Sequence, residues 1–484
     1  MISSSGSGRS RDMISGSGSG RSHDTVLRPD ARVHVIGIGG AGMSALAWIL
    51  LQRGHRVTGS DLRAGRAVAA LRAMGAEIEI GHQPQRVDGS DLIVVSAAIP
   101  ASDPELRRAV DLNLPVLRRA QVLAALMADQ DRLLVAGTHG TTTTTSMATV
   151  CLQTGGVDPS FAIGGTLHDA GTSAHHGSGR WFVAEADESD SSFLEYEPDI
   201  ATVTNVDLDP HGGFAGMDAV DDAFLSFLWR RRRGGVAVLS LDDPGIVRLL
   251  PRIAEPIATY GAHPDATLRI TGTELHPEGA RFGLIHGGED VGRFEISLPG
   301  DHNVANAAAA ALASAHAGVD WDGIRRGLSI FAGASRRFER LGTAGGVTVV
   351  DDYGHHPVEL RVTLAAARQT APGGRVIAVF QPHGFSRTAA LGPQLGAALA
   401  DADAVIVTDV YGAGEQPVAG VTGELVAGAA MTAGVETHYV PSVADVPDRL
   451  LRLAEPGDLV LTLGAGDITE VGPVVLQRLR GDRG

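Results

Sequence analysis

The chain has 484 residues, of which 44% are hydrophobic and 20% charged, and it carries a net charge of −16. A chain this long suggests about three domains with a large buried core. So acidic a surface lacks the basic face that phosphate neutralisation requires, which excludes nucleic acid as the main partner. The single cysteine, Cys151, excludes a disulfide framework and fits a reducing compartment, so a cytoplasmic location is expected. No apolar run reaches the ~18 residues of a membrane span, and the N-terminus lacks the apolar centre of a signal peptide. No membrane insertion is therefore expected. No lysine occurs, so all 40 basic residues are arginine.

Residues 1–30 are rich in Ser, Gly and Arg and contain a near-repeat, "MISSSGSGRSRD" then "MISGSGSGRSHD". Such a segment buries too little surface to order itself and reads as a disordered tail. The pattern becomes strand, glycine turn, helix and strand over 31–128, opening with "RVHVIGIGGAGMSALAWILLQRGHRVTGSD". Gly37, Gly39, Gly40 and Gly42 let the backbone approach a diphosphate at a helix N-terminus, with Asp61 about 20 positions on. On the residues alone this is an NAD site, a nucleotide-sugar site or a tight turn without a ligand.

Over 129–333 the strand "RLLVAGT" runs into Gly137, Thr138, His139, Gly140, Thr141, Thr142 and Thr143, and a helix "SMATVCLQTGG" is expected next. Strand, glycine-rich loop and helix is the context of a phosphate-binding loop, where backbone N–H groups converge on an anion. Such a loop expects a lysine before its first hydroxyl residue, but position 141 is threonine. The strand "RWFVAEADE" leads to Glu185, Asp187, Glu188 and Asp190, hard-oxygen donors suited to Mg2+, and "TNVDLDPHGG" brings His211. "LWRRRRGG" reads as a solvated charge run. "GDHNVANAAAAALASAHAGV" is predicted to be an Ala-rich helix entered through Gly300 and Asp301. A third block, 334–484, alternates strands and helices again, with "DDYGHHPVEL" and "FQPHGFSRT" following strands, where α/β sheets bind ligands.

The ordered set "GIGGAGMS", "GTHGTTTTTSM", "FAIGG", "VAEADESDSSFL", "TNVDLD", "SRRFERLG", "DDYGHHP", "FQPHGFSRT" and "LGAGD" resembles the Mur ligases over about residues 32–475. The opening "GIGGAGMS" favours the alanine-adding branch. The resemblance implies an α/β fold of three domains: a Rossmann-like N-terminal domain for a UDP-sugar, a central P-loop-type ATPase domain, and a Rossmann-like C-terminal domain for the amino acid. It replaces the NAD reading. The implied reaction uses ATP and Mg2+ to join L-alanine to the lactyl carboxylate of UDP-N-acetylmuramate through an acyl phosphate, in peptidoglycan precursor synthesis. A monomer or weak homodimer is expected.

Carried over by motif, the resemblance implies that Gly37, Gly39, Gly40, Gly42, Asp61 and Ser96 hold the UDP-sugar. The loop residues Gly137 to Thr143, with Asn303, Asn306 and Arg336 or Arg337, hold ATP. Thr142, Glu185 and His211 serve Mg2+, and Tyr353, His355 and Arg387 receive the amino acid. Thr142, Glu185, His355 and Arg387 are the catalytic candidates. Two departures fall on the ATP–Mg2+ centre. The family's loop lysine is Thr141 here, and its metal-binding histidine is Pro210, with His211 one place late. A paralogue with another acid or amine substrate, and an impaired pseudo-ligase, stand as the alternatives.

Overall fold

The computed structural model describes residues 27–28, 30–96, 98–168, 170–188, 192–209 and 213–481. Most of the Ser/Gly/Arg tail, Asp190, Pro210 and His211 lie outside the described residues. The chain divides into two compact units: the described residues up to 132 with 158–164 and 173–182, and the remainder, comprising 133–157, 165–172 and those from 183 on.

In the first unit, β1 (Arg32–Ile36), β2 (Arg56–Asp61), β3 (Glu77–Ile80), β4 (Leu92–Val95) and β5 (Val116–Arg118) form a parallel sheet in the order β3-β2-β1-β4-β5. Val33, Val35 and Ile36 of β1 and all of β4 are buried, which is why β4 reads as a continuous apolar run and β1 as one interrupted by the buried His34: helices cover both faces of such a sheet. The winding reverses between β1 and β4, so the crevice at their C-terminal ends is the expected ligand position. Glu105 ties β1, β2 and the segment after β3 together. Its buried carboxylate accepts from Ser60 Oγ at 2.5 Å and from the Gln83 N–H at 2.9 Å, and lies 3.2 Å from His34 Nε2.

The central sheet is built from β6 (Asp131–Ala136), β7 (Ser160–Leu167), β8 (Thr172–His175), β9 (Trp181–Glu185), β10 (Ile200–Val203), β11 (Val236–Ser240), β12 (Ile257–Gly261), β13 (Leu268–His276), β14 (Gly279–His286) and β15 (Glu289–Ile296). Its order is β15-β14-β13-β12-β11-β10-β6-β9-β7-β8. The last three strands in sequence pair antiparallel, an extension that the sequence reading did not anticipate. The Ala-rich helix is present as Asp301–His316, entered from Gly300, with Ala307 to Ala313 wholly buried. Small side chains allow close helix approach: a Cβ at Gly327 would lie 2.7 Å from Cys151 Cα.

The helix after the phosphate loop starts earlier than expected, at Thr141 rather than at Ser146. Five β-branched residues are poor helix formers on propensity. Here Thr142 to Thr145 are buried, and Thr145 and Thr149 donate their hydroxyls to the carbonyls of Thr141 and Thr145 at 2.7 and 2.8 Å. Tertiary burial outweighs the propensity. The arginine run is only partly a solvated face: Arg230 and Arg231 donate to the carbonyls of Tyr196 and Leu228 at 3.2 and 2.8 Å.

The third sheet comprises β16 (Glu339–Ala344), β17 (Val347–Asp352), β18 (Val376–Phe380), β19 (Ala404–Val407), β20 (Glu436–Tyr439) and β21 (Leu459–Leu463), in the order β16-β17-β21-β18-β19-β20. All pairs are parallel except β16 with β17. "DDYGHHP" and "FQPHGFSRT" therefore leave the C-terminal ends of β17 and β18, the two strands that flank β21.

Candidate functional site

The phosphate loop leaves β6 and turns into the helix Thr141–Thr154. Gly137 and Gly140 have φ of 142° and 79°, conformations that favour glycine. Space is equally restrictive, since a Cβ at Gly137 would stand 2.0 Å from Thr204 Oγ1 and one at Gly140 2.5 Å from Asn306 Oδ1. The helix has no side-chain cap and no acidic residue in its first turn. Its leading N–H groups and the positive end of its dipole are thus left for an anion.

The sequence between β10 and the next helix clamps this loop from the side. Asn205 accepts the His139 N–H through Oδ1 at 2.8 Å and donates Nδ2 to the His139 carbonyl, also at 2.8 Å. Thr204 Oγ1 donates to the same carbonyl at 2.6 Å, and Thr138 Oγ1 donates to the Asp207 carbonyl at 3.1 Å. These partners sit in the quoted "TNVDLD" motif, but the sequence reading gave Asn205 no task. Their pairing with the loop spans 66 positions and has no local signal.

The loop opens on a cavity of about 440 Å³. His139, Gly140, Thr143, Asn303, Asn306 and Arg337 line it, so the structure gathers these expected nucleotide ligands in one place. Asn306 Nδ2 donates to Asn303 Oδ1 at 3.3 Å, and its own Oδ1 accepts from Thr144 at 3.3 Å, tying the Ala-rich helix to the loop helix. Gly137, Thr138, Thr141 and Thr142 are not cavity-lining residues; the first two shape the loop behind it. Arg336 does not line the cavity either. Its guanidinium donates to the carbonyls of Gly464, Ala465 and Gly466 and pairs with Asp351. Of the two arginines offered for the nucleotide, the structure brings Arg337. Asp352 also lines the cavity, and burial pushes its carboxyl up to about 6 although Arg337 opposes the shift.

Beside the loop, Thr142 Oγ1 donates to Glu185 Oε2 at 3.2 Å. Burial, then the charges of Asp187, Asp209 and Glu185, push Glu188 up to about 8. Carboxylates crowded this way gain from a divalent cation, and their oxygens, with the Thr142 hydroxyl, are the donor type that Mg2+ takes.

The residues expected to meet an amino acid form one cluster. Tyr353 and His355 rings lie 5.4 Å apart, His355 and His383 5.8 Å, and His383 stacks on Tyr411 at 5.5 Å. Burial lowers His355 below its ordinary value, against the opposing charge of Glu359. Arg387, 4% exposed, forks onto Asp209 at 2.8 and 3.3 Å. A carboxylate is thus already the partner of this guanidinium, and an incoming one would share it. Next to the cluster, His139 Nδ1 meets Glu359 Oε1 at 3.1 Å, and its ring packs 4.8 Å from His356. Burial would lower His139, but the Glu359 contact, with Asp207 and Asp209 nearby, holds its pKa above the ordinary value.

In the first unit, the glycine loop lies at the β1–β4 switch point. Gly37 has φ of 78° and stands against Ile99 and Ser96, placing Ser96 at the same crevice. Asp61 is not open to a ligand in full: Oδ2 accepts the Gly39 N–H at 2.8 Å and Oδ1 the Arg63 N–H at 3.0 Å. It shapes the loop. The Arg119 side chain crosses Gly42, 2.9 Å from a Cβ built there, and brings a guanidinium that the sequence reading overlooked.

Three family models match the chain: "Mur ligase family, catalytic domain" over residues 32–131, "Mur ligase middle domain" over 135–314, and "Mur ligase, glutamate ligase domain" over 336–466. The chain is 45% identical over 459 residues to a UDP-N-acetylmuramate–L-alanine ligase of Streptomyces griseus, covering 93% of this chain and 98% of that one. It is 48% identical over 463 residues to the protein of the same name from Mycobacterium sp. (strain JLS), covering 93% and 95%. Among solved structures, the UDP-N-acetylmuramate–alanine ligase of Thermotoga maritima superposes with a TM-score of 0.80 at 25% identity, covering 93% of this chain and 100% of that one.

Proposed function

The chain belongs to the Mur ligase family, and we infer that it is the ATP-dependent ligase that joins L-alanine to the lactyl carboxylate of UDP-N-acetylmuramate. The observation that carries this reading is the convergence in the second unit. An uncapped helix start and a glycine loop open on a cavity lined by Asn303, Asn306 and Arg337, beside a carboxylate cluster at Glu185. Identity of 45–48% over 93% of the chain to proteins bearing that activity in their names supports the alanine ligase over a paralogue or an inert relative.

The UDP diphosphate binds in 31–128, on the loop Gly37 to Gly42 near Ser96, with Arg119 supplying charge. ATP binds in 129–333, its phosphates on the N–H groups of the loop and of the first helical turn. A carboxylate oxygen of the lactyl group attacks the γ-phosphorus and ADP leaves. The alanine amine, held through its carboxylate by Arg387 in 334–484 near Tyr353 and His355, then attacks the acyl carbon. The nitrogen loses its proton to solvent, and phosphate leaves with the original carboxyl oxygen. Thr142 and Glu185 would hold Mg2+, which would supply charge neutralisation at the transferring group. The protein's own part is positioning and charge stabilisation. Release of ADP and phosphate that requires both UDP-N-acetylmuramate and L-alanine is the expected result. Folded protein with saturating Mg2+ and no release above background would refute the reading.

A further inference from the structure

Glu105 is wholly buried and stands second in the helix Pro104–Asp111, whose start is capped by Asp103. Asp103 Oδ1 accepts the N–H groups of Glu105 and Leu106 at 2.9 and 3.0 Å, and its Oδ2 lies 3.1 Å from His82 Nδ1. The cap fixes the point from which the Glu105 side chain starts. Oε2 takes the Ser60 hydroxyl and faces His34 Nε2, and Oε1 takes the Gln83 N–H, so both oxygens are occupied. Burial would raise this carboxyl, but the hydrogen bonds from His34, Ser60 and Gln83 hold it below its ordinary value.

Ser60 is where this network meets the glycine loop of the first unit. Its carbonyl accepts the N–H of Gly37 at 2.9 Å and that of Ile38 at 3.0 Å, while the next residue, Asp61, takes the Gly39 N–H at 2.8 Å. The Gly40 N–H returns to the Gly37 carbonyl at 3.2 Å. The loop therefore spends its own N–H groups on its shape. Those left for an anion lead the helix Ala41–Gln52, which has no side-chain cap and no acidic residue in its first turn. A segment this rich in glycine has little conformational preference of its own, so its path must be imposed by its partners. The Ser60 side chain is wholly buried, its hydroxyl bonded to Glu105 and 3.4 Å from His82 Nδ1. Glu105 and Asp61 are acidic and oppose a diphosphate rather than attract it. What they contribute at this loop is shape.

We propose that Glu105 is a positioning residue for the UDP-sugar: through Ser60 it fixes the glycine loop, and with it the helix start that receives the diphosphate. The inference rests on the reading of this crevice as the UDP-sugar site.

The test is calorimetric binding of UDP and of ATP to the full chain, with steady-state turnover and chemical denaturation alongside. It compares the wild type with Glu105→Ala, Glu105→Gln, Ser60→Ala and the variant carrying both alanines. Glu105→Ala is expected to weaken UDP about 10-fold and to raise KM for UDP-N-acetylmuramate in parallel, with kcat and ATP affinity within about twofold. Glu105→Gln keeps the shape: its oxygen meets the Gln83 N–H, and its amide meets a Ser60 hydroxyl turned from donor to acceptor. His34 Nε2 accepts as well once its proton sits on Nδ1, beside Thr58 Oγ1 at 2.8 Å. UDP affinity within about threefold of wild type is expected for this variant, which also serves if the alanine variant folds poorly. Adding Ser60→Ala to Glu105→Ala is expected to cost less than about twofold more, because one residue acts through the other. Full additivity of the two losses would overturn the action through Ser60. Equal losses for UDP and ATP would overturn the positioning role, as would a glutamine variant as weak as alanine. A wild type that binds UDP with Glu105→Ala unaffected, whatever its stability, overturns the role of Glu105 alone, whereas a wild type that binds no UDP overturns the UDP-sugar site itself.

Discussion

Asn205 is the sharpest test of how the loop is held. Replacing it with alanine removes the acceptor of the His139 N–H and the donor to the His139 carbonyl, both at 2.8 Å. The carbonyl keeps Thr204 Oγ1 at 2.6 Å, so the N–H is the group left without a partner. A part-buried donor stranded in this way costs about 1–3 kcal/mol, and the lost Nδ2 bond adds about 0.5–1.5 kcal/mol. Part of that total falls on fold stability, because the loop is clamped whether or not nucleotide is bound. We therefore assign roughly 1.5–3 kcal/mol to the loop shape that receives phosphate, which is about 10- to 150-fold in the dissociation constant for ATP. Asn205→Asp keeps the acceptor, loses the donor and should fall between the two. Titration calorimetry with ATP, alongside thermal melting, measures both shares. Alanine at 205 with ATP affinity within threefold of wild type and an unchanged melting temperature would show that the clamp plays no such part.

Gly137→Ala faces both a φ of 142° and a Thr204 oxygen 2.0 Å from its Cβ, so it should lose ATP turnover almost entirely; a folded, active variant would contradict the loop geometry. The Asp352 carboxyl, raised by burial from an ordinary value of 3.8 to about 6, makes the fold bind a proton more tightly than the unfolded chain. Its contribution is complete below the unfolded value and is lost as pH rises through about 6. Asp352→Asn should therefore flatten the fall in stability between pH 4 and 6 in chemical denaturation; an unchanged slope would refute this. Cys151 is buried, and desolvation pushes its thiol up to about 12, so a disulfide reagent should modify it only after denaturation. Rapid reaction in the native protein would show that the helix packing around it opens readily.

Much of the fold is visible in the sequence because parallel strands and glycine turns are local patterns. The strand before Gly137, the turn residues Gly37 and Gly137, and the Ala-rich helix from Asp301 to His316 all follow from neighbours within a few positions. The start of the loop helix is less visible, because propensity opposes Thr141 to Thr145 and only their burial permits it. Site geometry depends on distant partners. Arg337 reaches Thr142 across 195 positions and Asn205 reaches His139 across 66, and neither spacing has a periodicity to detect. The choice between Arg336 and Arg337 was undecidable from residue type. It is set by two left-handed backbone residues and by carbonyls of the 464–466 loop. Asp61 is legible only in part: its spacing points to a ligand, and the N–H groups that its oxygens accept from Gly39 and Arg63 are not visible in that spacing.

The central claim is that ATP activates the lactyl carboxylate of UDP-N-acetylmuramate before L-alanine attacks it. The direct test labels both oxygens of that carboxylate with oxygen-18, turns the substrate over with ATP, Mg2+ and L-alanine, and analyses the released phosphate by mass spectrometry. Acyl-phosphate formation predicts one labelled oxygen in each phosphate. Phosphate released in step with product but carrying no label would contradict it.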